Sequence, residues 1–132
     1  MLRSRVLVLC LLGALQPAWA DEGLNGDWTV DLASEPGQVY TQPMQLSLKE
    51  DGTVEGSFYN STIGAGRWKL DRGRLCASFR TSDGAGPYHS AVCLIGAEAV
   101  GQTWAEHRDF LFNWNATRTA AEEGATPPTR SP

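Results

Sequence analysis

The sequence predicts an all-β fold, an eight-stranded antiparallel up-and-down barrel, within a chain of 132 residues. Apolar residues recur at every second position over most of the chain, as Trp28, Val30 and Leu32 do, which is the period of a strand with one buried face. Short turn sequences that contain glycine separate these stretches, and no stretch has convincing helical spacing. The chain is therefore expected to form a series of hairpins.

Eight strands are predicted, and four turn sequences mark where hairpins reverse: "EDG", "DRG", "SDGAGP" and "GAE". The strands lie near residues 25–33, 43–49, 53–59, 64–71, 74–81, 88–95, 99–105 and 109–117. Eight sequential strands leave two unpaired edges unless the last strand pairs with the first. Closure removes both edges, and this favours a barrel.

The register of each hairpin is predicted by keeping apolar side chains on one face. A three-residue loop, Glu50-Asp51-Gly52, pairs Leu48 with Val54 and places Gly52 where a left-handed residue is needed. The remaining expected pairs follow in the same way: Gly56 with Trp68, Trp68 with Ala77, Ala77 with Val92, Val92 with Gln102, and Gln102 with Phe112. Two parallel rows of inward residues are also expected: Met44, Phe58, Gly66, Phe79, Ser90, Trp104 and Phe110, and Leu48, Val54, Leu70, Leu75, Leu94, Val100 and Trp114.

The first twenty residues are typical of an export signal. Arg3 and Arg5 precede an apolar core over residues 6–15, and Ala18-Trp19-Ala20 has the small-x-small pattern of a cleavage site. The core is too short to span a bilayer as a helix, which needs about twenty residues. Residues 1–20 are therefore interpreted as a cleaved signal peptide of a periplasmic or secreted protein, with no membrane insertion after cleavage.

The rest of the chain is expected to be one barrel domain, residues 21–118, followed by a disordered tail over residues 119–132. The tail contains three prolines and no large apolar residue. The full chain has a net charge of −4, and removing the signal makes it more negative. The sequence contains no basic stripe, so nucleic acid is not expected as a partner.

Two cysteines remain after signal cleavage, Cys76 and Cys93. The register that pairs Ala77 with Val92 places these cysteines directly opposite each other on the outer face, where a disulfide can form. An even pair of cysteines in an exported chain is more often a bridge than a metal site. No metal site and no cofactor is expected.

The inward positions are all apolar or glycine except Ser90 and Gln102. A barrel of eight strands is either filled by side chains or holds one small ligand. If a cavity exists, we expect a site centred on Gln102, lined by the residues Ser34, Phe58, Phe79, Ser90, Gln102 and Trp104. No acid, base and nucleophile converge, because His89 falls on the outer face and His107 in a hairpin tip, so an enzyme is not expected.

The stretch Gly26-Asp27-Trp28 on the first strand resembles the start of the calycin superfamily of small barrels, which includes lipocalins and avidins. In that superfamily an Arg or Lys of the last strand packs against the first-strand indole. The resemblance implies that Trp28 and Arg118 form this pair and close one end of the barrel. A guanidinium can stack on the indole and reach carbonyl groups at the rim.

Residues 24–64 carry the resemblance, which within the superfamily is to avidins: Gly26, Trp28, Leu32 and Ser34, then Gly56-Ser57-Phe58. Avidins hydrogen-bond the biotin ureido oxygen through an Asn, a Ser and a Tyr. Here the Asn position is Val30 and the Tyr position is Phe58, and only Ser34 matches. Tight biotin binding is therefore not expected.

Two functions remain open. The first is an exported, non-enzymatic binding protein for a small apolar or cyclic ligand inside the barrel. The second is a protein-binding barrel with a filled core, such as an exported protease inhibitor, an interaction module or a homo-oligomer. A cavity above roughly 300 Å³ favours the first, and a filled core with an exposed apolar patch favours the second.

Overall fold

The computed structural model describes residues 23–120, and within them the chain forms nine strands and one short 3₁₀ helix. The strands are β1 (Gly26–Asp31), β2 (Thr41–Leu48), β3 (Thr53–Phe58), β4 (Ser61–Thr62), β5 (Gly64–Asp71), β6 (Arg74–Ser82), β7 (Pro87–Ile95), β8 (Glu98–Ala105) and β9 (Phe110–Arg118). The helix, Glu106–Arg108, joins β8 to β9. The proposed signal peptide and residues 121–132 of the tail lie outside the described residues.

The strands close into an antiparallel barrel. Strands that follow one another pair, except that β3 pairs with both β4 and β5, and β1 pairs with β9 as well as with β2, which closes the sheet. The two-residue β4 and the longer β5 form one barrel strand in two pieces, which makes the barrel eight-stranded. The described part of the chain contains no helix long and apolar enough to cross a bilayer.

The core is built from the inward face of each strand. On β1, Trp28 and Val30 are fully buried while Asp27 and Asp31 are exposed, as the alternation predicts. Across the barrel, Phe58 contacts Phe79 and Trp114, with ring centroids 5.7 and 5.2 Å apart. Burying these large apolar side chains supplies most of the driving force for closure.

Much of the predicted register is confirmed. Leu48 pairs with Val54 across the three-residue loop, and Gly52 has φ +88°. Ala77 pairs with both Trp68 and Val92. The next pair along is Cys76 with Cys93, and a disulfide joins them with a Cα–Cα distance of 4.1 Å. The bridge covalently links β6 to β7 on the outer face.

The predicted register between the third and fourth barrel strands is wrong. Val54, and not Phe58, pairs with Gly66, so Gly56 does not face Trp68. The cause is a two-residue turn at Tyr59 and Asn60, both at positive φ, which ends β3 at Phe58 and starts β4 at once. The shift is an even number of residues, so Trp68 still points inward.

The predicted register of β8 is also wrong, by one residue. The β7–β8 turn has two residues and not three, because Ile95 pairs with Glu98, and Gly96 adopts φ +61°. A one-residue slip exchanges the two faces of a strand. Gln102 and Trp104, both predicted to face inward, therefore lie on the outer surface.

The inward face of β8 carries small residues: Ala99, Gly101, Thr103 and Ala105. They leave room for Trp114 of β9, which pairs with Gly101. A Cβ atom placed on Gly101 would lie 2.3 Å from the Trp114 indole, so the two residues are complementary in size. Gln102 accordingly pairs with Asn113 and not with Phe112.

Candidate functional site: the open end of the barrel

The two ends of the barrel differ. One end is sealed by Leu24 and Trp28, both fully buried, and the Trp28 Nε1–H donates to the Leu24 carbonyl at 2.9 Å. The expected partner of the indole is in place, because the Arg118 guanidinium carbon lies 4.5 Å from the ring centroid. Arg118 also donates to the carbonyls of Asn25 and Gly23. This end gives a ligand no access.

The opposite end is open and contains a cavity of about 700 Å³. Four connections surround it: the β1–β2 loop, the β3–β4 turn, the β6–β7 turn and the β8–β9 connection. Six of the thirteen lining residues are aromatic, and five others are serines or threonines. The lining residues are Leu32, Ser34, Tyr40, Phe58, Tyr59, Ser61, Thr81, Ser82, Asp83, Tyr88, Thr103, Phe110 and Phe112.

Tyr40 and Tyr59 form one side of the rim of the cavity. The hydroxyls of Tyr40 and Tyr59 share a short hydrogen bond, and their rings meet edge to face with centroids 6.3 Å apart. The hydrogen bond with Tyr40 raises the pKa of the Tyr59 phenol. Tyr59 occupies a left-handed backbone position, φ 51°, in the tight β3–β4 turn. The pair therefore links two connections above the cavity.

The other side of the rim is organised by Asp83. Its carboxylate accepts hydrogen bonds from the Arg108 Nε–H at 2.6 Å and the Tyr88 hydroxyl at 2.9 Å, and lies 3.3 Å from His107 Nε2. Backbone N–H groups of Ala85 and Gly86 donate to it as well. Bonds from the Ala85 N–H and the Arg108 guanidinium hold the pKa of Asp83 well below its usual range.

The floor of the cavity is a chain of buried polar groups. The Trp114 Nε1–H donates to Thr103 Oγ1 at 2.8 Å, and Thr103 Oγ1 shares a 2.8 Å hydrogen bond with Ser90 Oγ. Thr81, a further buried polar residue, lies on the wall. Thr81, Ser90 and Thr103 are respectively 7, 4 and 5 % exposed. These three residues are the buried polar side chains of the described barrel.

The structure places two of the six predicted site residues, Ser34 and Phe58, in the cavity lining. Ser90 is buried beneath it, hydrogen-bonded to Thr103, and Phe79 is buried against Phe58. The expectation that Ser90 and Gln102 share the interior is therefore wrong for Gln102.

Gln102 and Trp104 lie on the other side of the sheet. The Gln102 side-chain amide donates to Asn113, and Trp104 is 43 % exposed. Both line a shallow outer depression of about 360 Å³, which also includes Arg80 and His89. Gln102 is thus not the centre of an internal site.

Sequence reasoning missed Thr81, Thr103 and Tyr88. Thr103 follows the outward-facing Gln102 and therefore points inward. A two-residue turn at Gly96, had it been assumed, would have predicted this orientation. Tyr88 and Thr81 pair across β6 and β7 next to the predicted "SDGAGP" turn. The predicted pairing of Phe79 with Ser90, extended by two residues along each strand, would have placed both side chains inside.

Comparisons with protein-family models, with curated proteins and with solved structures find no match to this chain. The strand pairing alone establishes the barrel. Among the residues that the structure describes, no group of three or more His, Cys, Asp or Glu side chains is arranged to hold a metal ion. The chemistry offered by the open end is an aromatic wall with neutral hydroxyl groups.

Proposed function

We propose that this protein is an exported, non-enzymatic binding protein that holds a small apolar or cyclic molecule in the open end of its barrel. The observation that carries the proposal is the asymmetry of the two ends. Trp28 and Arg118 seal one end, and about 700 Å³ of space remains at the other. Ligand pockets in proteins typically enclose 300–1,000 Å³.

The lining supports an apolar or cyclic ligand. Phe110 and Phe112 stack with centroids 5.7 Å apart and nearly parallel planes, and Phe110 meets Tyr88 edge to face. Phe58 on β3 adds a third phenyl ring to the lining. Flat rings present large apolar area, and covering it with a ligand removes that area from water at about 25 cal/mol per Å².

The proposed family is the calycin superfamily. Support comes from the first-strand Gly26-Asp27-Trp28 stretch together with the guanidinium of Arg118 on the last strand, in a closed eight-stranded barrel. Export is proposed from the signal-like residues 1–20, and the Cys76–Cys93 disulfide is consistent with an oxidising compartment.

A binding role is proposed over catalysis because of the rim chemistry. Asp83 and His107 lie 3.3 Å apart, but Asp83 is committed to Arg108 and Tyr88. Among the described residues, no Ser, Thr or Cys hydrogen-bonds to His107. A general base without a nucleophile or an orienting partner for substrate is not a catalytic set.

A titration with N-phenyl-1-naphthylamine, a neutral dye that fluoresces in apolar sites, tests the proposal. Thr81→Phe fills the cavity from β6, and Ser78→Phe adds the same ring on the outer face of the same strand as a matched control. We expect binding by wild type and Ser78→Phe and at least tenfold weaker binding by Thr81→Phe. Equal binding by all three proteins, or none by wild type, would contradict the proposal.

A second candidate, a protein-binding surface, is favoured by one observation. Trp104 and Leu111 pair across β8 and β9 on the outer face and are 43 and 58 % exposed. An exposed tryptophan is typical of interface hot spots. Sedimentation velocity of wild type and Trp104→Ser across a concentration series tests whether this surface self-associates.

A further inference from the structure

The polar groups at the floor of the cavity have more hydrogen-bond donors than hydrogen bonds. The Trp114 N–H and the hydroxyls of Thr103 and Ser90 are three donors, and they make two hydrogen bonds among themselves. One hydroxyl proton therefore has no protein acceptor among the described residues. If Ser90 donates to Thr103, the spare proton belongs to Thr103, which lines the cavity. This arrangement is favoured because a spare proton on Ser90, which is not part of the lining, would be buried without a partner.

Thr81 adds a second polar group to the lining, on the wall of the cavity. It is 7 % exposed, and its hydroxyl makes no hydrogen bond among the described residues. No fully enclosed side-chain nitrogen or oxygen of the described residues lacks a partner. The Thr81 hydroxyl must therefore reach open space, and the space that Thr81 lines is the cavity. A buried hydroxyl without a protein partner is satisfied by water or by a ligand.

The cavity offers no unpaired charge to an ionic ligand. Asp83 is the one ionisable Asp, Glu, Lys, Arg or His side chain in the described lining, and it is already bonded to Arg108, Tyr88 and backbone N–H groups. Its low pKa keeps it a carboxylate, which disfavours an anion nearby, while the adjacent guanidinium of Arg108 compensates its charge. Burying an ion without a partner is costly.

From this arrangement we infer that the ligand is an uncharged cyclic molecule that enters polar end first and presents an oxygen acceptor, of the carbonyl type, to the Thr103 hydroxyl. The aromatic walls contact its ring, and the Thr81 hydroxyl offers a second donor to the same oxygen, which has two lone pairs. This inference rests on the proposed function. It narrows the ligand class from apolar or cyclic molecules to neutral ring compounds with a carbonyl, such as cyclic ketones, lactones, lactams or aryl ketones.

Three naphthalene compounds of similar size test the inference by displacement of N-phenyl-1-naphthylamine. 2-Acetylnaphthalene carries the carbonyl, 2-ethylnaphthalene has the same shape without it, and 2-naphthoate is the anion. The measured quantity is the ratio of the Kd values of the ethyl and acetyl compounds. In wild type we expect the acetyl compound to bind more tightly than the ethyl compound, and 2-naphthoate to bind at least tenfold more weakly than the acetyl compound.

Variants of the two threonines then assign the effect. In Thr103→Val the ratio should fall about fivefold, the value of one neutral hydrogen bond, because the carbonyl loses its donor. Thr103→Ser keeps a hydroxyl and should keep the ratio, as should Thr117→Val on the exposed face of β9. Thr103→Val also removes the acceptor of the Trp114 N–H, so Thr81→Val, which has no protein bond to lose, is the second variant and should lower the ratio about twofold.

The outcomes separate the two proposals. If the wild-type ratio does not favour the acetyl compound, or if neither Thr103→Val nor Thr81→Val changes it, the inference is wrong while the binding function stands. Tighter binding of 2-naphthoate than of 2-acetylnaphthalene would also overturn it, since the site would then be ionic. If neither the dye nor any naphthalene binds to wild type, the proposed function itself fails.

Discussion

Adding one methyl group at Gly101 should destabilise the barrel strongly. A Cβ atom at this position would lie 2.3 Å from Trp114 Cζ2 and 2.4 Å from Cη2, whereas carbon atoms pack at about 3.5–4.0 Å. Trp114 is 2 % exposed and cannot swing outward, so the indole must shift within the core. Overpacking of this kind costs about 1–3 kcal/mol. The shift also strains the 2.8 Å bond from Trp114 to Thr103, worth about 1 kcal/mol.

The expected loss for Gly101→Ala is therefore about 2–4 kcal/mol, or a fall in Tm of roughly 10 °C or more for a domain of this size. Urea unfolding followed by tryptophan fluorescence measures it. Gly64→Ala is the matched control, because the nearest atom to its added Cβ is the Arg80 carbonyl oxygen at 3.9 Å, an ordinary contact. Wild-type stability in Gly101→Ala would refute the placement of Trp114 over Gly101 and with it the register of β8.

Three further predictions concern other parts of the barrel. Replacing Cys76 and Cys93 together by Ser should lower the free energy of unfolding by about 2–5 kcal/mol, and two free thiols or a covalent dimer in the mass spectrum of the wild-type protein would contradict the bridge. The pKa of Asp83 is lowered from 3.8 in the folded state, so its contribution to stability is present above that value and is lost as the pH falls through the lower, folded value. In a His107→Gln background, which removes the titratable histidine beside Asp83, the difference in unfolding free energy between the parent and Asp83→Asn should therefore be constant from about pH 5 to 7 and shrink below about pH 4. A difference that grows on acidification would show the sign to be wrong. Biotin should bind far more weakly than to an avidin, because Val30 and Phe58 offer no hydrogen bond at two of the three ureido positions, and calorimetry that gives a nanomolar Kd would contradict this.

The barrel was predictable because its strands keep strict alternation and its turns are short. The register was correct across the Gly52 turn, and again from Trp68 through Ala77 to Val92, where it sets Cys76 opposite Cys93. The turn at Tyr59 and Asn60 was missed because two-residue turns with two positive-φ residues usually contain Asn-Gly or Asp-Gly. A tyrosine in that position carries no comparable signal.

The face of β8 was not predictable from hydrophobicity. Val100 and Trp104 are more apolar than Gly101 and Thr103, yet the less apolar face points inward. The reason is volume, since Trp114 from β9 already fills the space above Gly101. Complementarity between neighbouring strands does not appear in the period of either strand alone.

The one-residue error in the predicted register of β8 also put the predicted binding site in the wrong place. The central residue expected from the sequence, Gln102, is outside, and the neighbouring Thr103 is inside. Phe58 and Ser34 lie in the cavity lining, because the positions of their strand and connection do not depend on the register of β8. The cavity itself was not predictable, because the expected alternative, a core filled by aromatic side chains, has the same alternation.

The ¹H–¹⁵N spectrum of the protein titrated with 2-acetylnaphthalene tests the central claim, a ligand site in the open end of the barrel, most directly. Ligand rings shift nearby amide resonances, so the pattern locates the site independently of affinity. We predict the largest shifts around Thr81, Thr103 and Phe112, and none at Trp28 in the sealed end. Shifts centred on the exposed Trp104 of the outer face, with none among the cavity residues, would contradict the account.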